Sequence, residues 1–195
     1  VRTFHGLYLL TMVRLSHIRI LGTAAVAALV VGSAAATVLV TLDDALKLAF
    51  PDAQTTRETL FLSDEERREI AALCGEELPG GLATRFVASN GQGEILGYAY
   101  VDTHVVRTLP ETVIVVIDPA GSVRRVEVVS FREPLDYVPR EGWYRQFDGE
   151  QLDDDLQLKR DIRPVTGATL TARATTEAVR RVLAIHQVAE GGADR

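Results

Sequence analysis

A run of small and hydroxyl-bearing residues stands directly before an amphipathic segment near the end of the sequence. Residues 161–173 read DIRPVTGATLTAR. Small residues allow a bulky group to approach the backbone, and a helix N-terminus offers unpaired N–H groups and positive potential to an anion. Threonine hydroxyls add donors, and one of them could carry a covalent phosphoester. The pattern therefore predicts a site for a phosphate-bearing group, with these candidate contacts: Thr166, Gly167, Ala168, Thr169, Leu170 and Thr171.

Other kinds of chemistry find little support in the sequence. The turn lacks the Gly-Lys-Thr ending of a Walker-type loop and the Gly-x-Ser-x-Gly elbow of a serine hydrolase. The four histidines are far apart, and Cys74 is the only cysteine. We therefore expect no metal site and no internal disulfide, and we assign no catalytic residue.

The charge distribution argues against a nucleic-acid partner. The formal net charge is −6, and all 27 acidic residues lie after residue 42. Arg2, Arg14 and Arg19 come before that point, so the remainder of the chain is more acidic than the whole. Nucleic-acid binding requires a basic face, and we exclude it.

An apolar run at residues 18–40 contains one charge, Arg19. A helix of that length crosses a bilayer. Arg14 and His17 precede the run, whereas Asp43 and Asp44 follow it. The positive-inside rule then places residues 1–17 in the cytoplasm and the C-terminal domain in the periplasm. We predict a single-pass protein of the cell inner membrane.

A cleaved signal peptide is the alternative interpretation of this run. Ala34, Ala35 and Ala36 resemble a small-residue cleavage site. The run continues beyond them to Val40, which favours a retained anchor in contact with the lipid bilayer.

The residues after the run fall into a predicted helical connector over 41–81, a main domain over 82–189 and a disordered tail over 190–195. In the connector, Pro51 ends one short helix. Ser63 and Glu66 form a capping box for a second helix that ends near Gly75.

The main domain combines a strand meander with a final helix. Alternating or continuous apolar residues predict strands at 82–88, 94–106, 111–117 and 123–131, joined by turn residues. An apolar stripe predicts a helix over 171–187. The predicted fold class is α+β: an antiparallel sheet packed with helices and preceded by one N-terminal transmembrane helix.

The turn and its surroundings resemble the flavin-attachment region of the FMN-binding domain family. That family includes the G subunit of the Rnf complex and the C subunit of the sodium-pumping NADH:quinone oxidoreductase. Its pattern is Ser/Thr-Gly-Ala-Thr, with FMN joined to the last threonine by a phosphodiester, which implies attachment at Thr169. Gly97-Tyr98, Asp118 to Gly121, Glu133-Pro134 and the segment WYRQFDG at 143–149 follow the same layout.

The sequence departs from the family pattern at three places. Arg163 stands where the family has an acid that helps a flavin transferase recognise its target, and we expect Arg163 to compensate the phosphate charge instead. The usual Glu-Thr-Pro-Gly is shortened to Glu133-Pro134-Leu135, and residues 107–110 replace a glycine-rich stretch.

The resemblance implies a cofactor, a binding slot and a function. FMN is the expected cofactor, and the expected ring slot is formed by Glu133, Pro134, Leu135, Tyr98 and Trp143. The implied function is an electron relay in or beside a membrane redox complex, whose subunits would be partners together with a flavin transferase. Two alternatives remain open: a non-redox flavin-sensing or assembly subunit, and an extracytoplasmic enzyme that uses FMN on a small substrate.

Overall fold

One antiparallel sheet organises residues 37–78 and 80–193, which are the residues described by the computed structural model. The strands are β1 (Thr37–Val38), β2 (Gln54–Phe61), β3 (Leu82–Ser89), β4 (Ile95–Val105), β5 (Pro110–Ile117) and β6 (Val123–Phe131). The helices are α1 (Leu42–Ala49), α2 (Asp64–Cys74), α3 (Glu141–Tyr144) and α4 (Thr169–Ala193). The predicted α+β class and antiparallel sheet are confirmed.

The sheet has the strand order β1-β6-β5-β4-β3-β2, so that β2 to β6 form a meander and β1 pairs with its last strand. Strand β5 is central and is buried on both faces from Val113 to Ile117, as its continuous apolar sequence predicts. The four strands predicted from the sequence correspond to β3 to β6 within one or two residues at each end.

Strand β2 corrects the prediction of a helical connector over 41–81. This strand pairs with β3 from Gln54↔Ser89 to Phe61↔Leu82. Most of its side chains are exposed, since it forms the sheet edge. A polar edge strand shows little of the apolar alternation by which strands are recognised. The sheet therefore extends across the predicted domain boundary at residue 82.

Two further predictions concern the ends of the chain. Residues 18–36 of the predicted membrane span lie outside the described residues, whereas Thr37 and Val38 belong to β1. Within the two described ranges, no helix is both long and apolar enough to cross a membrane. The predicted disordered tail is wrong from residue 190 to residue 193, because α4 continues there and the Glu190 carboxylate binds Arg85 and Tyr98.

The predicted helix signals near the start of the domain are confirmed. The Ser63 hydroxyl accepts a hydrogen bond from the Glu66 N–H, and the Glu66 carboxylate accepts one from the Ser63 N–H. Gly75 ends α2 with φ of 84°, the left-handed conformation that favours glycine.

The two faces of the sheet carry unequal cores. The smaller core packs α1 on one face, where Leu46 and Phe50 lie in one cluster with Ile114 and Val116. The larger core joins α2 and α4 with side chains of β4 to β6 and with the segment that contains α3. Each large apolar side chain that is fully buried contributes about 1.5–3 kcal/mol. Helix α4 is thus held against the sheet, and the end that begins at Thr169 is fixed in place.

Gly97 in β4 leads to the first testable prediction. Its φ is 150°, and an added Cβ would lie 2.6 Å from the Ile117 carbonyl oxygen and 3.0 Å from a ring carbon of Phe50. Gly97→Ala should lower the free energy of unfolding by about 2–4 kcal/mol, because overpacking and backbone strain add. Urea unfolding measures this loss. Gly91→Ala is the matched control, since an added Cβ there meets nothing within 4 Å; an equal effect of the two changes would contradict the argument.

Candidate functional site

The predicted turn leads directly into α4. Gly167 has φ of 88°, a backbone conformation that residues other than glycine rarely adopt. The Ala168 N–H donates to the Val165 carbonyl at 3.3 Å. An added Cβ at Gly167 would meet nothing within 4 Å. The backbone of the turn is therefore open to an approaching group.

Three predicted threonine hydroxyls are placed in different environments. Thr169 is exposed, and its hydroxyl donates to the Val165 carbonyl at 3.1 Å. Thr171 is fully buried, and its hydroxyl donates to the Tyr137 carbonyl at 2.6 Å. Thr166 is exposed. The Thr169 hydroxyl is thus accessible at the helix start, whereas the Thr171 hydroxyl anchors that start to the preceding loop.

The first turn of α4 also has free backbone donors. Ala172 donates its N–H to the Ala168 carbonyl at 2.9 Å. The N–H groups before it have no acceptor four residues earlier within the helix, as at every helix N-terminus. They point out of the helix end and can receive an anion.

A cavity of about 200 Å³ lies at this helix end. Its lining contains five of the predicted site residues together with two that the sequence analysis did not name: Gly167, Ala168, Thr169, Leu170 and Thr171, with Arg107 and Tyr137. Leu170 is half exposed, and with the Tyr137 ring it gives the cavity apolar walls. Thr166 is outside the lining.

Arg107 is the only charged residue among the described residues that line the cavity. It lies in the turn between β4 and β5, and its guanidinium carbon is 5.2 Å from the centroid of the Tyr137 ring. This cation–π contact orients the flat guanidinium group against one wall. The only signal in the sequence was that residues 107–110 depart from the family pattern.

Glu133 holds that turn in place. Its carboxylate accepts hydrogen bonds from the Thr108 N–H at 2.8 Å, the Leu109 N–H at 2.9 Å and the Thr108 hydroxyl at 3.1 Å. The two backbone N–H groups hold the pKa of Glu133 below its usual value, and the charge of Arg107 adds to this effect. Glu133 therefore holds the turn that carries Arg107 but does not itself line the cavity.

Pro134 and Leu135 lead into the loop that carries Tyr137. Pro134 precedes a 3-10 turn at Leu135–Tyr137, and both Pro134 and Leu135 are exposed. Neither residue lines the cavity. Their connection to the site is through Tyr137, whose ring forms one wall and whose carbonyl binds Thr171.

Trp143 lies in the core, which corrects its prediction as a wall of the flavin slot. Its ring packs edge-on against Tyr144 and Phe147, and its indole N–H donates to the Arg163 carbonyl at 2.7 Å. The Arg163 N–H donates to the Gln146 side chain at 2.9 Å, while Arg163 itself is exposed and outside the cavity lining. The pair fixes the chain that leads into the turn.

Tyr98 lies at the opposite end of α4, which corrects its place in the predicted slot. Its hydroxyl donates to the Glu190 carboxylate at 2.8 Å, and its ring centroid is 4.8 Å from that of His186. Burial raises the pKa of Tyr98 to about 12. At 1.5 Å per residue, His186 is about 25 Å along the helix from Thr169. Tyr98 is too distant to contact a group at the turn.

The geometry at the turn fits a phosphate ester with an extended apolar substituent. An accessible hydroxyl, free N–H groups and one guanidinium suit an anion, and Leu170 and Tyr137 suit an apolar group. The model of the FMN-binding domain family matches residues 109–184, which include the whole turn. Over these residues the chain belongs to the FMN-binding domain family. Its cofactor is FMN.

The FMN-binding domain contains Glu133, Trp143 and the turn, while Arg107 lies two residues before the matched segment. Neither a curated protein nor a solved structure was found to match the chain. A cavity of about 200 Å³ is smaller than the range of about 300–1,000 Å³ that is usual for enclosed ligands. This cavity alone is therefore too small to enclose a whole FMN molecule.

A chain of buried polar groups ties α4 of the FMN-binding domain to the sheet. Glu111 accepts hydrogen bonds from Thr175 at 3.1 Å and from His104 Nε2 at 2.9 Å. The other nitrogen of His104, Nδ1, donates to Asp102 at 2.9 Å. Asp102 in turn accepts two hydrogen bonds from Arg181, each 2.9 Å long. The contacts fix the rotation of α4 and hence the direction of its first turn.

His104 should make stability depend on pH. Burial alone would lower its pKa, but the hydrogen bonds and charges of Asp102 and Glu111 raise it from 6.5 to about 9. The protonated ring stabilises the fold fully below pH 6.5, and this stabilisation is lost as pH rises through 9. The loss should reach about 3 kcal/mol. Urea unfolding between pH 6.5 and 9 measures it, and His104→Gln should flatten the profile; a variant with the same slope would contradict the assignment.

Proposed function

We propose that the protein is a membrane-anchored, extracytoplasmic FMN-binding protein that relays electrons, with FMN attached by a phosphodiester to Thr169. The observation that carries the proposal is the exposed Thr169 hydroxyl at the start of α4, inside the cavity and inside the family segment. A covalent bond keeps the cofactor on the protein in a compartment where lost FMN is not replaced.

The attachment requires an activated flavin donor. The Thr169 oxygen forms a bond to phosphorus and loses its proton to a base on a flavin transferase. Direct condensation with FMN would release water and is unfavourable in water. A flavin dinucleotide supplies the needed anhydride, since its P–O–P bond breaks and a nucleoside monophosphate leaves. The product keeps one negative charge, which the helix end stabilises.

An electron relay fits the small cavity better than an independent enzyme does. The cavity at the turn is too small to hold both FMN and a second substrate. The redox chemistry belongs to the cofactor, and the residues around the turn supply attachment and electrostatic tuning. An exposed part of the flavin can exchange electrons with subunits of a membrane redox complex.

The membrane anchor is supported by residues 18–36 of the apolar run, which precede β1, and by their basic N-terminal flank. With the N-terminus in the cytoplasm, the flavin domain lies on the periplasmic side of the inner membrane. The proposed partners are thus the lipid bilayer, subunits of a redox complex and a flavin transferase.

Two measurements on the full chain test the proposal. Anaerobic titration should show that the bound flavin is reduced and reoxidised reversibly, and a flavin that no mediator reduces would remove the relay. Carbonate extraction of membranes should leave the full-length chain in the pellet. Added protease should cleave its C-terminal domain only when the periplasmic face of the inner membrane is accessible. A released chain that begins at Thr37 would replace the anchor with a signal peptide.

A further inference from the structure

The cavity at the turn is lined by an exposed cation, Arg107, whose hydrogen-bonding capacity is not used by the described residues. Arg107 stacks on Tyr137, but its N–H groups donate no hydrogen bond to the described residues. A guanidinium has five N–H donors in a rigid fork that matches two oxygens of a phosphate. The same cavity is lined by Thr169, the proposed attachment point of the FMN phosphate.

We propose that Arg107 binds the FMN phosphate and makes the site select FMN over riboflavin. The proposal extends the established cofactor, and it depends on the proposed function only for placing the phosphate beside Thr169. Arg107 lies two residues before the segment that the family model matches, so that the family assignment does not itself give this residue a role.

The surrounding contacts hold Arg107 in position for this interaction. The Tyr137 ring supports one face of the guanidinium, and Glu133 fixes the turn through the N–H groups of Thr108 and Leu109. All three donors of that turn bind one oxygen of Glu133, Oε1, and no hydrogen bond joins this carboxylate to Arg107 among the described residues, so that the guanidinium is available to a ligand.

Arg163, which the sequence analysis favoured for this purpose, is less suited to it. Its side chain lies outside the cavity lining, and its backbone N–H and carbonyl are bound by Gln146 and Trp143. Among the residues that line the cavity, Arg107 is therefore the one cation available to a phosphate.

The test compares two ligands that differ by the phosphate. In a Thr169→Val background no ester forms, and fluorescence titration gives the Kd of free FMN and of riboflavin. Adding Arg107→Gln should weaken FMN binding about 10- to 100-fold, the effect of losing hydrogen bonds between charged groups. Riboflavin binding should not change. Arg163→Gln in the same background is the matched control and should leave both values unchanged.

Other outcomes overturn the proposal. Equal weakening for the two flavins would place Arg107 against the ring, and unchanged FMN binding would remove it from the site. A second readout covers the case of weak free binding: in the covalently loaded protein, Arg107→Gln should shift the ³¹P resonance of the diester, whereas Arg163→Gln should not. An unshifted resonance contradicts the proposal. If flavin leaves the wild-type protein on denaturation, the ester at Thr169 is refuted. The role of Arg107 is not, since the comparison of Kd values does not require an ester.

Discussion

Thr169→Val should abolish covalent flavin completely and leave the fold intact. Valine has nearly the same shape as threonine but no hydroxyl, so that no bond to phosphorus can form. The side chain is exposed, and the one hydrogen bond that is lost joins its hydroxyl to the Val165 carbonyl. Surface changes of this kind alter stability by about 0.5 kcal/mol or less.

Flavin fluorescence of the denatured protein in a gel measures the bond, after co-expression with a flavin transferase. Thr55→Val is the matched control, because Thr55 is also exposed but lies in β2, outside the cavity and outside the Ser/Thr-Gly-Ala-Thr pattern. The control should keep full fluorescence. Fluorescence that persists in Thr169→Val would place the ester elsewhere.

Asp102→Ala should be among the most destabilising single changes in the domain. The Asp102 carboxylate receives two hydrogen bonds from Arg181 and one from His104, and Arg181 is 9% exposed. Removing the carboxylate breaks the pairs with both cations, although Arg181 keeps its hydrogen bond to Glu76 and His104 keeps the one to Glu111. Breaking a buried ion pair in this way costs about 3–5 kcal/mol. Urea unfolding at pH 7 measures the loss.

A surface ion pair provides the control for this change. Asp64 pairs with Arg67 at 2.6 Å, but its side chain is 81% exposed. Exposed pairs contribute little to stability, and Asp64→Ala should leave the unfolding midpoint nearly unchanged. Replacing Arg181 by Met in the Asp102→Ala variant should recover part of the loss, since the guanidinium that has lost Asp102 is then removed. No recovery would show that the damage comes from lost packing.

The sequence predicts those elements that show a strong local pattern. Strands β3 to β6 are recognisable because each has an alternating or continuous apolar pattern and is bounded by turn residues. Helix α2 is recognisable because Ser63 and Glu66 form a capping box. Strand β2 lacks such a pattern, since an edge strand exposes most of its side chains and its sequence is largely polar. Strand β1 is two residues long and adjoins an apolar run that has a different interpretation.

The site residues differ in the same way, because only those in a local motif are predictable from the sequence. The contacts from Gly167 to Thr171 are consecutive in the chain, and a local motif is enough to predict them. Tyr98 and Trp143 depend on where distant strands meet α4, which spacing in the sequence does not show. Arg107 gives no signal of its own, since an arginine in a turn is usually solvated. Its role follows only from the fold, which places Arg107 and Tyr137 at the same end of α4.

Strand β1 has a consequence for how the chain is processed. Thr37 pairs with Phe131, and Phe131 also pairs with Glu111, so the two residues of β1 cover the C-terminal end of the outer edge of β6. An uncovered edge strand invites pairing with another molecule and aggregation. The small-residue triplet ends at Ala36, directly before the first residue of β1. A peptidase that cut there would release the domain with its edge still protected, whereas trimming to residue 39 would expose it.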